Sequence, residues 1–123
     1  MIPTCIFCQI IAGETQPPSG ILKRWPDAVA FEPLNPVTPG HLLIVPVAHT
    51  RSFLDDPVVA AAAMARAADL ASRGLTYAQC NLITSCGEDA TQSVYHLHLH
   101  LIPREAGDGL HLPWRHPITA KRR

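Results

Sequence analysis

Neither sign of charge predominates in this chain. Ten lysines and arginines balance ten aspartates and glutamates, for a formal net charge of zero at neutral pH. A broad surface that holds nucleic acid or a membrane by charge alone is therefore not expected. No apolar run reaches the roughly 18 residues that a membrane span needs. The opening MIPTCIFCQ carries no basic stretch and no long apolar stretch of the secretory kind, so a cytoplasmic protein is expected. Internal repeats are missing, and low complexity is confined to one alanine-rich segment. Four cysteines in a reducing compartment do not make a disulfide framework. Cys80 and Cys86 read as buried or incidental thiols. A second Cys-x-x-Cys, the usual complement of a four-cysteine metal site, does not occur.

What is present suffices for one compact domain. The chain has 123 residues, 47% of them hydrophobic, enough for a core of useful size. Residues 6–13 predict a short helix stopped by Gly13. Two strands are expected at 21–25 and 28–32, meeting at a turn over Pro26 and Asp27. The stretch 33–40 holds three prolines and a glycine, which makes it an extended loop. A buried strand follows over 41–47, with Pro46 at its end or on an edge. Asp55, Asp56 and Pro57 start the clearest helix, and Gly74 is its stop signal. Val58, Ala61, Ala62, Ala65 and Leu70 give that helix a small-residue face for close approach to a sheet. A strand over 79–85 leads through a loop to the last one. Short connections between strands favour an α+β domain: a mainly antiparallel sheet of about five strands with one long and one short helix.

That last strand carries the chemistry. In YHLHLHLIPR, from Tyr95 to Arg104, His96, His98 and His100 alternate with Leu97, Leu99 and Leu101. Extended backbone puts alternate side chains on opposite faces, so the imidazoles share one side and the leucines fill the core on the other. Two residues of strand rise would space the rings by about 7 Å. A generic wet face rarely yields three histidines in period. Two chemical readings compete. The row can ligate zinc and activate a water for hydrolysis. Alternatively, one imidazole is a nucleophile, neutral enough near pH 7 to attack phosphorus and leave again, while its neighbours orient it or donate to oxyanions.

QSVYHLHLHLIPR resembles the signature of the histidine triad (HIT) superfamily, His-φ-His-φ-His-φ-φ with φ apolar, and fits it at all seven positions from His96 to Ile102. PVTPGHLLIVPVAH, from Pro36 to His49, is similar to the superfamily's first segment, and CIFCQIIAGE resembles the start of many bacterial members. The likeness covers about residues 5–104, leaving 105–123 as a C-terminal extension of a single HIT-like domain. It implies a nucleotide phosphoramidase or nucleotidyl hydrolase that works through a covalent nucleotidyl-histidine. It implies that His98 attacks the α-phosphorus, that His100 and His41 line the phosphate pocket, and that Ser93 bonds the phosphate or leaving group. Gln92 would stand at the pocket wall and offer its backbone. A purine nucleotide or nucleotide conjugate is the implied partner, and a homodimer the implied assembly. The alternatives are a nucleotide-binding regulatory module with little turnover, or a zinc-dependent hydrolase with the triad as ligands.

Cys5 and Cys8 have their own alternatives: a redox pair, two buried thiols, or half of a zinc site. The resemblance points to the last. Metal-carrying members use Cys-x-x-Cys, the histidine of Pro-x-x-His and the first triad histidine, here Cys5, Cys8, His49 and His96. Four protein ligands would make the zinc structural rather than catalytic. Two positions depart from the superfamily pattern. Pro33 stands where an acidic residue usually holds the ribose hydroxyls, leaving Glu32 or Asn35 as candidates, with Glu32 turned to the other face by alternation. Ser85 replaces a common asparagine; its hydroxyl has a shorter reach. In the extension, His111 and His116 read as exposed loop residues, and Trp114 packs on a dimer partner or on its own sheet.

Overall fold

A computed structural model describes residues 2–73 and 79–114. Its elements are α1 (Ile6–Ala12), β1 (Ile21–Arg24), β2 (Ala28–Phe31), β3 (Leu42–Pro46), α2 (Pro57–Ser72), β4 (Cys80–Ile83), a single 3-10 turn (Glu88–Ala90) and β5 (Leu99–Pro103). The strands form one antiparallel sheet in the order β1-β2-β3-β5-β4. The expected α+β architecture is thus observed. Pro46 closes β3 at its end; β3 itself is central, paired with β2 and β5.

Both faces of the sheet are covered, and alternation decides which side chains go where. Ala30, Leu42, Ile44, Leu99 and Leu101 point to one face, where they meet Ala63, Ala67 and Leu70 of α2. Val29, Phe31, Leu43 and Val45 point to the other, against Phe7 and Ile10 of α1. Each large aliphatic side chain buried this way contributes about 1.5–3 kcal/mol relative to exposure.

The two helices start and stop as their end residues dictate. Asp56 caps α2 by accepting from the Val58 and Val59 N–H groups, with proline next in the first turn. Gly13 closes α1 in the left-handed region at φ 81°, donating to the Gln9 and Ile10 carbonyls. Gly74 lies outside the described residues. The face of α2 differs from expectation: Val58 is 78% exposed, Ala61 and Ala65 are exposed, and the buried side runs through Ala63, Ala67 and Leu70. In an alanine-rich helix nearly every face is small and apolar, so composition does not single out the phase; packing on β3 and β5 does.

Cys80 and Cys86 are exposed rather than buried; β4, which carries Cys80, lies at the sheet edge. Trp114 is 73% exposed and does not cover its own sheet. His111 is exposed as expected, and His116 lies outside the described residues. Arg104 ties the start of the extension to β4. It pairs with Asp108 at 2.8 Å and donates to Asn81 Oδ1 and the Leu110 carbonyl. Hydrogen bonds from Arg104 and from the Leu110 and Glu105 N–H groups hold the Asp108 carboxyl well below the usual range.

Candidate active site and metal cluster

The histidine row begins before the regular ladder does. β5 starts at Leu99, so His96 and His98 precede it, yet the alternation continues through them. Leu97, Leu99 and Leu101 all enter the core under α2. A hydrogen bond from the Leu97 N–H to the Thr50 carbonyl, 2.7 Å, holds the pre-strand segment in place. The His98 and His100 ring centroids are 5.1 Å apart at an interplanar angle of 61°, closer than strand rise alone suggests.

Each ring has a defined hydrogen-bonding state. His98 Nδ1 lies 2.8 Å from the His96 carbonyl oxygen. A carbonyl only accepts, so Nδ1 carries the proton and Nε2 keeps its lone pair. The main-chain carbonyl of His98 in turn accepts from the Thr84 hydroxyl at 2.8 Å. His41 is buried, and its Nδ1 accepts from the Val37 N–H at 3.1 Å. Its proton is therefore on Nε2, which stands 2.9 Å from His100 Nδ1. His100 receives that hydrogen bond and is left with its own proton on Nε2. Side by side, the row offers a lone pair on His98 and a donor on His100.

Burial keeps these rings neutral. It lowers His98 and His41, and in His41 it acts against the nearby Glu32 carboxylate. Burial, then the neighbouring His98 and His41, lowers His100 to about 4. Hydrogen bonding gives the same answer: with Nδ1 occupied by the His41 N–H, a second proton on His100 has no place to sit.

His96 turns away from this pair. It is fully buried, and its Nε2–H donates to the Pro46 carbonyl at 2.8 Å, which leaves Nδ1 as the free lone pair. Around Nδ1 are Cys5 Sγ at 3.4 Å, Cys8 Sγ at 3.6 Å and His49 Nδ1 at 3.1 Å, with Cys8 Sγ 3.4 Å from His49 Nδ1. The four ligand atoms lie within 4.8 Å of one another. A tetrahedral zinc with bonds of about 2.0–2.3 Å has ligand–ligand edges of about 3.3–3.8 Å, and the four separations of 3.1–3.6 Å among these donors are on that scale. Surrounding groups also suit it. The Cys8 N–H donates to Cys5 Sγ, the Ile2 N–H to Cys8 Sγ, and the Pro46 carbonyl fixes the His96 ring. Burial pushes the Cys5 thiol up; a cation would supply the positive charge that a buried thiolate needs. Among the described residues this is the only group of three or more such ligands, and it takes one histidine from the row. The row as a whole does not converge on one metal.

The other sequence-selected residues divide. Gln92 is buried, and its side chain is used as a brace: Nε2 donates to the Arg51 and Val94 carbonyls, and Oε1 accepts from the Gly87 N–H. Ser93 is exposed on the rim of a hollow of about 430 Å³ that it shares with Cys5, His49 and Tyr95. Among the described residues no hydrogen bond joins it to the histidine row. Asn35 is exposed, Ser85 is half-buried, and Pro33 is half-buried on the same loop as Asn35. The Glu32 carboxylate accepts from the Ser19 hydroxyl at 2.9 Å and lies close enough to His41 to act on it. Phe7, Thr84 and the Val37 N–H escaped sequence reasoning. Thr84 acts through its hydroxyl on the His98 carbonyl, and Val37 through its main-chain N–H on His41 four residues on; no side-chain pattern marks either contact. Phe7 had a signal in its position between the two cysteines.

The model of the HIT domain matches residues 14–107. The chain is 36% identical over 112 residues to an adenylylsulfatase of Arabidopsis thaliana, covering 86% of this chain and 55% of that one. It is 36% identical over 118 residues to the adenosine 5'-monophosphoramidase of Saccharomyces cerevisiae, covering 89% and 69%. The chain thus spans about half the length of the plant relative. A zinc-bound histidine triad family protein from Mycobacterium smegmatis superposes with a TM-score of 0.78 at 29% identity, over 88% of this chain and 80% of that one. With the triad signature, the antiparallel sheet and the matched segment in agreement, the chain belongs to the HIT domain family.

Proposed function

We propose that the chain is a nucleotide hydrolase that cleaves a phosphoramidate or phosphoanhydride at the α-phosphate through a nucleotidyl-His98 intermediate. The observation that carries this reading is the hydrogen-bonding state of the row. His98 Nδ1 is committed to a carbonyl, and the His98 Nε2 lone pair stands beside the N–H of His100. Nε2 forms a bond to phosphorus while the bond to the leaving group breaks, the departing group taking up a proton from solvent. The positive charge that develops on the imidazole is stabilised through Nδ1–H and the His96 carbonyl. His100 donates to a phosphate oxygen, and one fixed donor of this kind is worth about 2.7–4 kcal/mol in a transition state. His41 holds His100 in the donating tautomer. Ser93 serves the leaving group from the rim. Water then attacks phosphorus, the P–N bond breaks and the monophosphate departs. The activities named for the plant and yeast relatives support the substrate class.

Cys5, Cys8, His49 and His96 hold a structural zinc ion in this reading, fastening the N-terminal helix to the sheet. Four protein ligands would leave such an ion no position for water. The protein is read as a single-domain homodimer acting in the cytoplasm on a purine nucleotide or its conjugate. For the ribose, Asn35 and Ser85 are the remaining candidates, with Gln92 contributing through its backbone. Glu32 already bonds Ser19, and this favours a second reading in which phosphate is captured with little turnover.

Rapid quench with a labelled adenosine phosphoramidate decides between them. An acid-labile adduct on His98, lost in His98→Ala together with turnover, is the expected result. Turnover that survives His98→Ala overturns the mechanism, and binding without turnover across a substrate panel favours the second reading.

A further inference from the structure

Phe7 lies between the two cysteines of α1 and is 6% exposed. Its ring centroid is 5.0 Å from that of His98 at an interplanar angle of 81°, 5.9 Å from His96 at 75° and 5.7 Å from Phe31 at 71°. The His98 ring is therefore flanked by Phe7 and, 5.1 Å away, by His100. Its bond to the His96 carbonyl sets which nitrogen bears the proton. One hydrogen bond does not stop a ring from swinging about it; flanking rings do.

We propose that Phe7 is a positioning residue for the nucleophile: the metal cluster fastens α1 so that the Phe7 ring lies edge-to-face against His98 and keeps Nε2 aimed at the phosphorus. The inference rests on His98 being the nucleophile. Two connections run from the cluster to that ring. Cys5 and Cys8 bracket Phe7, and His96, a member of the cluster, supplies the carbonyl that receives the His98 proton. A metal held by this cluster would thus bear on the orientation of the reacting nitrogen without touching substrate, by way of the Phe7 ring and the His96 carbonyl. A 1 Å misplacement of a reacting group can cost about a hundredfold in rate, so small losses of this wall are readable.

The test compares Phe7→Leu with Val29→Ala, a truncation in the same apolar cluster that has no ring contact with His98. Phe7→Leu is expected to lower kcat by about tenfold or more while KM stays within about threefold. Val29→Ala should keep kcat within about twofold despite its lower stability. The ¹⁵N relaxation of the His98 ring nitrogens, taken at one pH above 7, should be that of a fixed ring in the wild type and of a motionally averaged one in Phe7→Leu, with the same tautomer in both. Chelated wild-type protein should give the same averaged signature. Should Phe7→Leu not fold, Phe7→Met takes its place with the same expectations. An unchanged kcat, equal losses in both variants, or a rise in KM alone overturns the proposal; the last would make Phe7 a wall for substrate. A His98 signature indifferent to chelation overturns the link to the metal. If the wild type forms no adduct and turns nothing over, the functional reading fails, and the ¹⁵N comparison still decides whether Phe7 holds the ring.

Discussion

His41 Nε2 stands 2.9 Å from His100 Nδ1, and the Val37 N–H behind His41 makes this a directed pair rather than two adjacent rings. Because His41 accepts at Nδ1, it must donate at Nε2. His100 must then accept at Nδ1 and donate outward. One backbone amide in the loop before β3 thereby determines what the last histidine of the row presents to a ligand.

Removing His41 should undo that assignment. In His41→Ala the Val37 N–H loses its acceptor and His100 can exchange tautomers. Steady-state kinetics are expected to show kcat reduced by about 10–100-fold, on the scale of a lost oriented donor, with a smaller change in KM. Full activity in this variant would remove the pair from the mechanism.

The acid stability of the fold should carry the mark of His100. Its folded value is lowered to about 4, chiefly by burial, against about 6.5 in an unfolded chain. Between those values the unfolded state binds a proton that the folded state refuses. The stability that His100 contributes is therefore constant above pH 6.5, falls as pH drops through the window, and levels off below 4. After discounting for the partly exposed ring, the loss is on the order of 1–2 kcal/mol. Urea titrations at pH 7 and 4.5 should show a smaller difference for His100→Asn than for the wild type. Parallel pH dependences would refute the assignment.

Zinc should bind at about one equivalent per chain and act on stability. At a thousandfold excess over its dissociation constant a ligand contributes about 4 kcal/mol, so chelation should lower the thermal midpoint by about 10–20 °C. The chelated protein, measured while folded, should still label His98, though more slowly. Loss of labelling with the fold intact would instead support a metal-dependent hydrolase.

Gln92 is predicted to matter through its side chain amide. In Gln92→Glu a carboxylate would face the Arg51 and Val94 carbonyls, where an NH₂ group now donates at 2.6 and 3.1 Å. The expected cost is about 2–3 kcal/mol in denaturant unfolding, from lost bonds and unpaired buried acceptors. A change within about 0.5 kcal/mol would show that the brace is dispensable.

Much of this protein was legible locally. Period-two alternation from His96 to Leu101 assigned the leucines to the core and the imidazoles to the opposite face, because extended backbone allows no other division. Asp56 before Pro57 and Gly13 after Ala12 marked helix ends through capping chemistry that involves only neighbouring residues. Cys5, Cys8, His49 and His96 were grouped by resemblance, and the fold brings their ligand atoms together.

Tertiary structure decided the rest. The phase of α2 came from packing, since an alanine-rich helix has little contrast between its faces. The protonated nitrogen of each histidine came from the Val37 N–H and from the carbonyls of Pro46 and His96, groups that every residue possesses and no sequence pattern distinguishes. Gln92 became a brace because the Gly87, Arg51 and Val94 main chains converge on it. Side-chain types and spacing set which atoms can react. Main-chain hydrogen bonds, local for His41 and His98 and across fifty residues for His96, set the direction in which each of them faces.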